Sequence, residues 1–336
     1  MMMYDKMAGQ SCLRWIPAAA VLLLLLSVAL HAEAVDYRSE ADNFLRGMPP
    51  GLQALQTRAI EEAIEGDVSN LRAVRNARNV RATLPAGVYC DSIGERAVLF
   101  RSEAYRNDTV PLLVYLHGGG WTIGSINSCS RYCGAMAAGG VAVLAVDYRL
   151  APEYPYPHGL NDCRKAVEMA ADSLERWGCR SVAVGGDSSG GNLAIATAMC
   201  MPAGMLESVV AFYPVTKAYA DGSESWNAYG EGYGLDSRIM EAFNRAYGGV
   251  SDAPLVSPAH ASDRELQQLP RTLIAGADRD ILRDQGREFA DRLSRVGVDV
   301  DYRLFPGSVH LFITVAGQTA AFDDAVKCSL EFLKMR

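Results

Sequence analysis

The stretch from Ser181 to Ala196 constrains the fold of this chain more than any other. It opens with β-forming residues and closes with small helix formers, and between them Gly186-Asp187-Ser188-Ser189-Gly190 fits the pattern Gly-x-Ser-x-Gly. This combination predicts a strand, a sharp turn and a helix, with the serine held at a strained backbone angle that only small neighbours tolerate. Ser188 is therefore a candidate nucleophile, and the N-terminus of the following helix would face a developing oxyanion.

Strand and helix patterns alternate along the chain on both sides of this turn. Continuous apolar runs at 112–116, 141–146 and 209–213 are typical of strands buried on both faces of a sheet. Helical segments separate them, so the sequence predicts an α/β fold with a doubly wound, mostly parallel sheet. Ligands of such sheets bind beyond the carboxyl ends of the strands, where Ser188 is expected to lie.

The first 34 residues have the pattern of a secretory signal. A basic start and an apolar run precede Ala32-Glu33-Ala34, which predicts cleavage after Ala34 and a protein exported to the periplasm or secreted. The alternative is an uncleaved membrane anchor, although the apolar run is shorter than the ~20 residues that a span requires. After cleavage we expect no stable membrane insertion.

The remaining chain divides into an N-terminal region, 35–85, and a catalytic region, 86–336. Two short helices are predicted within 35–66, whereas 67–95 is predicted to be irregular, and its arginines are interpreted as a solvated face. A segment at about 216–258, rich in Gly, Ser, Tyr and Ala, interrupts the strand–helix alternation, and insertions at such positions are often lids. The arginines of 67–95 that are interpreted as a solvated face are Arg72, Arg75, Arg78 and Arg81.

Composition narrows the classes of partner. The formal net charge of −7 argues against nucleic acid or an anionic membrane as the main partner. The eight cysteines include Cys12 in the signal, so an odd number remains after cleavage, and at least one thiol is free or paired between chains. The histidine and cysteine spacing does not suggest zinc, and no metal is expected. A homodimer is left open.

A serine nucleophile needs a base and an acid, which in one known arrangement follow it in the order acid, then histidine. His310 comes after the last predicted strand, 300–305, and is the candidate base. Asp278, Asp280 and Asp284 follow the preceding strand and are all candidate acids. Asp280 is preferred, because the chain between it and His310 can return to the same sheet edge and Asp284 is well placed to cap the next helix.

The run His117-Gly118-Gly119-Gly120 follows a buried strand. Residues without a Cβ let backbone N–H groups approach a substrate oxygen closely. Gly118, Gly119 and Gly120, together with Ser189, are therefore the candidate oxyanion-hole residues, and His117 is interpreted as ordering the loop.

Four motifs together make the chain resemble the hormone-sensitive-lipase family of α/β-hydrolases. They are His117-Gly-Gly-Gly-Trp121, Asp147-Tyr-Arg-Leu-Ala-Pro-Glu153, Gly186-Asp-Ser-Ser-Gly-Gly-Asn192 and Asp280-Ile-Leu-Arg-Asp284. The resemblance implies the α/β-hydrolase fold and a helical cap made from about 35–85 and 216–258. It also implies a carboxylesterase or lipase that hydrolyses short to medium acyl esters through an acyl-enzyme, without a cofactor, and it places Asp280 in the triad.

Bulky side chains are predicted to wall a small apolar pocket that prefers acyl groups from roughly acetyl to hexanoyl. The substrate is then a small-molecule ester. Two alternatives remain: an amidase or deacetylase acting on small molecules through the same triad, and a non-catalytic ligand-binding relative, which the presence of His310 disfavours. The candidate pocket residues are Trp121, Trp226, Tyr229 and Leu311, with Tyr233, Met240 and Phe243 from the same insertion.

Overall fold

A computed structural model describes residues 36–335. The predicted signal, 1–34, lies outside the described residues, so its cleavage and the anchor alternative stay predictions. Within 36–335, no helix is both long enough and apolar enough to cross a membrane.

Three helices precede the sheet: α1 (Arg38–Gly47), α2 (Leu52–Ile64) and α3 (Ser69–Arg78). The first two agree with the two short helices expected within 35–66. The prediction that 67–95 is irregular is wrong, because this segment contains α3 and strand β1 (Val88–Ile93). Leu71 is the one fully buried side chain of α3, and Val74 packs beside it, so the apolar stripe of this helix is short.

Eight strands form one sheet in the order β1-β2-β4-β3-β5-β6-β7-β8. β2 pairs antiparallel with β1 and with β4, and every other neighbouring pair is parallel. The predicted mostly parallel α/β architecture is confirmed. The strands after β1 are β2 (Ala97–Ser102), β3 (Val110–Leu116), β4 (Ala142–Val146), β5 (Cys179–Asp187), β6 (Ser208–Phe212), β7 (Arg271–Arg279) and β8 (Val300–Val309).

Helices cover both faces of the sheet, and an apolar core lies on each face. Alternate residues of β3 point to opposite cores: Leu112, Val114 and Leu116 to one, Leu113 and Tyr115 to the other. The remaining helices are α4 (Ile126–Ala138), α5 (His158–Asp172), α6 (Leu174–Trp177), α7 (Ser189–Cys200), α8 (Glu224–Ala228), α9 (Ser237–Tyr247), α10 (Asp263–Leu266), α11 (Arg283–Arg295) and α12 (Thr319–Lys334).

The insertion between β6 and β7 contains α8 and α9, and α9 packs against α2 from the N-terminal region. The side-chain oxygen of Gln53 accepts the backbone N–H of Asp236 at 2.8 Å, and Arg245 is paired with Glu61 at 2.6 Å. We call α1–α3 together with α8 and α9 the cap layer. The two regions that the sequence separates by more than a hundred residues therefore share one interface.

We expect the packing of α2 to contribute measurably to the free energy of unfolding. Ile60→Ala removes a side chain that is fully buried in the core and should lower the free energy of unfolding by about 2–5 kcal/mol. Leu55→Ala on the same helix removes a side chain that is 61% exposed and should change it by less than about 0.5 kcal/mol. Urea unfolding of both variants measures the difference. Equal losses would show that α2 is not packed as described.

Candidate active site

Ser188 lies on the turn between β5 and α7, with φ 54° and ψ −119°. This positive φ is unusual for a residue with a side chain and marks a strained turn. A Cβ on Gly186 would overlap the carbonyl oxygen of Leu116 and the backbone of Gly190, and a Cβ on Gly190 would overlap the carbonyl oxygens of Leu116 and His117. Glycine at both positions therefore allows this turn to lie directly against the end of β3.

His310 follows β8 and is held by a buried carboxylate. Its Nδ1 lies 2.6 Å from Oδ2 of Asp280, and both side chains are almost fully buried. The second oxygen of Asp280, Oδ1, accepts the N–H of Leu282 at 3.1 Å. Tyr213 packs against the imidazole with 4.3 Å between ring centroids. The ring is thus fixed in one orientation, with Nε2 as the nitrogen that remains for chemistry.

The two neighbouring aspartates have other partners. Asp278 Oδ2 accepts the N–H of Gly307 at 2.9 Å, and Asp284 Oδ2 accepts the N–H of Ser225 at 2.7 Å. The expectation that Asp284 caps the next helix is wrong, because α11 begins at Arg283 and Asp284 instead joins α11 to α8. Within residues 36–335, Asp280 is the one of the three that is hydrogen-bonded to His310.

The glycine loop after β3 presents backbone donors beside Ser188. The N–H of Gly118 donates to Oδ1 of Asp187 at 3.0 Å. The expectation that Gly118 is an oxyanion donor is therefore corrected, because its N–H is already engaged. Gly119 and Gly120 border the same cavity as Ser188, and no backbone acceptor in the described part of the chain takes their N–H groups. Ser189 is the first residue of α7, so its N–H has no acceptor within the helix. The N–H groups of Gly119, Gly120 and Ser189 therefore remain the candidate donors to an oxyanion.

Asp187 and His117 hold the glycine loop after β3 in place. Asp187 Oδ1 also accepts the hydroxyl of Tyr115 at 2.9 Å, and burial raises the pKa of this carboxyl. The His117 ring stacks on Tyr148 at 4.3 Å between centroids, and burial lowers the pKa of the imidazole. Because His117 is buried and its Nδ1 lies 2.9 Å from the carbonyl oxygen of Gly118, it orders the loop from within.

A cavity of about 40 Å³ lies between Ser188, His310 and the cap layer, and an adjoining groove of about 410 Å³ shares part of its lining. Helix α9 contributes Ile239 and Phe243 to the cavity, and α2 contributes Leu52, Gln53 and Gln56. The residues that border both spaces are Met48, Leu52, Arg78 and Leu311.

Of the four candidate pocket residues Trp121, Trp226, Tyr229 and Leu311, Leu311 lines the cavity and the other three do not. Trp121 stacks on Tyr247 at 4.5 Å between centroids and donates its indole N–H to Asn192 at 3.3 Å. Trp226 belongs to the apolar core, and Tyr229 packs against Tyr233. The expectation for Trp121, Trp226 and Tyr229 is corrected accordingly: these aromatic side chains join loops and the cap layer to the core. Phe243, from the same insertion, does line the cavity.

The interpretation of the arginines at 72–81 as a solvated face is wrong for two of them. Arg75 donates to the carbonyl oxygens of Thr122 and Ala151 and is paired with Glu153 at 2.7 Å. Arg78 borders the cavity next to Ser188. The spacing of these arginines is the signal in the sequence that indicates α3, since positions three apart share one face of a helix.

Within 36–335, no group of three His, Cys, Asp or Glu side chains is arranged to hold a metal ion. The cysteines of this part of the chain are free thiols, including Cys129 and Cys133, whose sulfur atoms lie 3.7 Å apart on one face of α4.

Comparison with known proteins identifies the family. A protein-family model described as α/β hydrolase fold matches residues 113–314. Carboxylesterase NlhH of Mycobacterium tuberculosis is 33% identical over 237 residues, which cover 68% of this chain and 74% of the relative. An ethyl acetate hydrolase of Pseudomonas putida is 34% identical over 234 residues, which cover 66% of this chain and 72% of the relative.

The structure is also similar to that of an ester hydrolase from the Lake Arreo metagenome, with a TM-score of 0.72 and 29% sequence identity over 96% of this chain and all of the other. The chain belongs to the hormone-sensitive-lipase family of α/β-hydrolases, and the resemblance stated from its motifs is confirmed.

The close packing at Gly190 can be tested with a second glycine as control. Gly190→Ala places a methyl group against the carbonyl oxygens of Leu116 and His117 and should lower the free energy of unfolding by about 1–3 kcal/mol or more. Gly286→Ala lies in helix α11 with no atom within 4 Å of the new Cβ and should raise it by about 0.5–1 kcal/mol. Thermal unfolding followed by circular dichroism compares them. A Gly190→Ala protein as stable as wild type would contradict the described packing.

Proposed function

We propose that this protein is a serine carboxylesterase that hydrolyses short to medium acyl esters through an acyl-enzyme. Ser188 is the nucleophile, His310 the general base and acid, and Asp280 the carboxylate that orients the imidazole. The observation that carries the proposal is that the hydrogen-bonded pair of Asp280 and His310 meets the strained Ser188 turn at one cavity.

The reaction begins when Nε2 of His310 takes the proton of the Ser188 hydroxyl and Oγ attacks the ester carbonyl. The N–H groups of Gly119, Gly120 and Ser189 stabilise the resulting oxyanion, while Asp280 stabilises the imidazolium. The imidazolium then gives its proton to the departing alcohol, and water activated by the same ring hydrolyses the acyl-enzyme. Within 36–335 no hydrogen bond joins Ser188 to His310, and this contact is expected to form when substrate binds.

The size of the cavity supports a short substrate group. A water molecule needs about 10–15 Å³ on this measure, so about 40 Å³ holds only a few non-hydrogen atoms. A longer part of the substrate must extend into the adjoining groove, whose walls include Phe44, Met48 and Val315. The name of the ethyl acetate hydrolase relative is in keeping with this size. Export and a homodimer stay predictions.

Two aspartate variants test the proposed triad. Asp280→Asn keeps the shape of the side chain but removes the charge that stabilises the imidazolium, so kcat should fall roughly 10³- to 10⁴-fold with KM little changed. Asp278→Asn is the matched control, because Asp278 binds the backbone of Gly307 and not His310. Steady-state hydrolysis of p-nitrophenyl acetate measures both variants, and a p-nitroacetanilide control assesses the amidase alternative.

Ser188→Ala should lose several orders of magnitude in kcat while remaining folded. Labelling of wild type by an active-site phosphonate, located by mass spectrometry, should fall on Ser188. Collapse of kcat in Asp278→Asn with near-normal activity in Asp280→Asn, or labelling at Ser189, would overturn the assignment.

The role of Phe243 as a cavity wall predicts acyl-chain selectivity. In wild type, kcat/KM on p-nitrophenyl esters should be highest between acetyl and hexanoyl. Phe243→Leu shortens the wall next to Gly120 and should move the optimum to longer chains. Phe322→Leu is the control, since Phe322 lies in the core on the other face of the sheet and borders neither the cavity nor the groove. An unchanged chain-length profile in Phe243→Leu would contradict this role.

A further inference from the structure

Arg78, the last residue of α3, borders both the cavity beside Ser188 and the adjoining groove. Three other arginines of the cap layer and of the strand beneath it are paired with carboxylates: Arg75 with Glu153, Arg245 with Glu61 and Arg279 with Asp42. The side chain of Arg78 forms no ion pair or hydrogen bond with any residue in the range 36–335. It is half-buried, and burial lowers the pKa of its guanidinium.

The surroundings of Arg78 do not neutralise it. Among described residues, no aspartate or glutamate borders the cavity or the groove. The carboxylate that acts on Arg78 electrostatically is Asp187, whose oxygen is already engaged by Tyr115 and Gly118 beneath the glycine loop. A partly desolvated cation without a counterion is unfavourable, and buried charges in proteins are normally paired.

Gln56 on α2 provides a second, independent observation. Its side chain is only 5% exposed and borders the same cavity, yet its amide has no hydrogen-bond partner among residues 36–335. Gln53, one turn earlier on the same helix, is engaged by the N–H of Asp236. The amide of Gln56 therefore keeps its donors available to a polar group in the cavity. An arginine and a glutamine thus border one otherwise largely apolar space.

We infer that Arg78, assisted by Gln56, binds a carboxylate of the substrate, so that the preferred esters carry an acidic group near the scissile bond. This inference rests on the proposed esterase function and names its substrate class. The planar guanidinium matches a carboxylate in a two-point hydrogen-bonded pair, and Gln56 can donate a further bond to it. Since Arg78 lies where cavity and groove meet, the acidic group belongs either to a short dicarboxylic half-ester or to an acylated hydroxy acid.

Matched ester pairs separate these two sources. On the acyl side, monoethyl succinate is compared with ethyl pentanoate, and on the alcohol side, acetoxyacetate with propyl acetate. The quantity measured is the ratio of kcat/KM for the charged ester to that for the neutral ester, in low-salt buffer by titration of released acid. Wild type should prefer the charged member of one pair, and that pair identifies the side on which the carboxylate lies.

Three variants test the proposed roles of Arg78 and Gln56. Arg78→Gln should lower the ratio roughly tenfold to hundredfold, the range for a hydrogen bond to a charged group. Arg78→Lys keeps the charge but not the two-point geometry and should give an intermediate ratio. Gln56→Leu removes a single amide and should lower the ratio by about two- to tenfold.

Arg72→Gln is the control for net charge, because Arg72 is an exposed residue of the same helix, and it should leave the ratio unchanged. The inference is overturned if wild type shows no preference in either pair, if Arg78→Gln keeps the wild-type ratio, or if Arg72→Gln lowers the ratio as much as Arg78→Gln. Failure of the esterase proposal is distinguishable, since wild type would then hydrolyse neither member of any pair. Hydrolysis of neutral esters without a charge preference overturns only the assignment of Arg78.

Discussion

The contact between the Ser188 turn and the end of β3 is the constraint on which the site depends. Gly186 and Gly190 let the turn approach the carbonyl oxygens of Leu116 and His117 more closely than any side chain would permit. Asp187, between them, then binds the N–H of Gly118 and the hydroxyl of Tyr115. Because the proposed nucleophile and the proposed oxyanion donors are held by one backbone contact, their separation is set before substrate arrives, as electrostatic catalysis requires.

The other half of the site depends on the neighbouring strands and on the cap layer. Arg279 ends β7 directly before Asp280, and its Nε donates to the carbonyl oxygen of Gly307 in the segment that leads to His310. The same guanidinium is paired with Asp42 of α1 at 2.6 Å. One buried arginine therefore joins the segments that carry the proposed acid and base to the first cap helix. This link gives the N-terminal region a structural part in ordering the site, in addition to walling the cavity.

Local patterns made the sheet and the strained serine turn predictable from the sequence. Apolar strands, the glycine run and Gly-x-Ser-x-Gly each report on their own backbone, and the strand ends bring them to one edge of the sheet. The cavity lining was not predictable in this way, because it depends on which face of α2, α3 and α9 meets the sheet edge. Trp121 and Trp226 are large enough to line a pocket but pack in the core. Arg78 is of a residue type that is usually exposed, yet it lies at the cavity.

The proposed role of Arg78 has a consequence for the chemistry itself. Arg78 and His310 border the same small cavity, so an unneutralised guanidinium opposes the positive charge that forms on the imidazole during attack. A carboxylate of the substrate cancels this opposition in a space where charges interact more strongly than in water. The acidic group then does more than bind: it lowers the energy of the transition state relative to that of the bound substrate. If Arg78 has this role, the acidic group changes kcat as well as KM. A contact that is equally strong in the bound substrate and in the transition state would change KM alone.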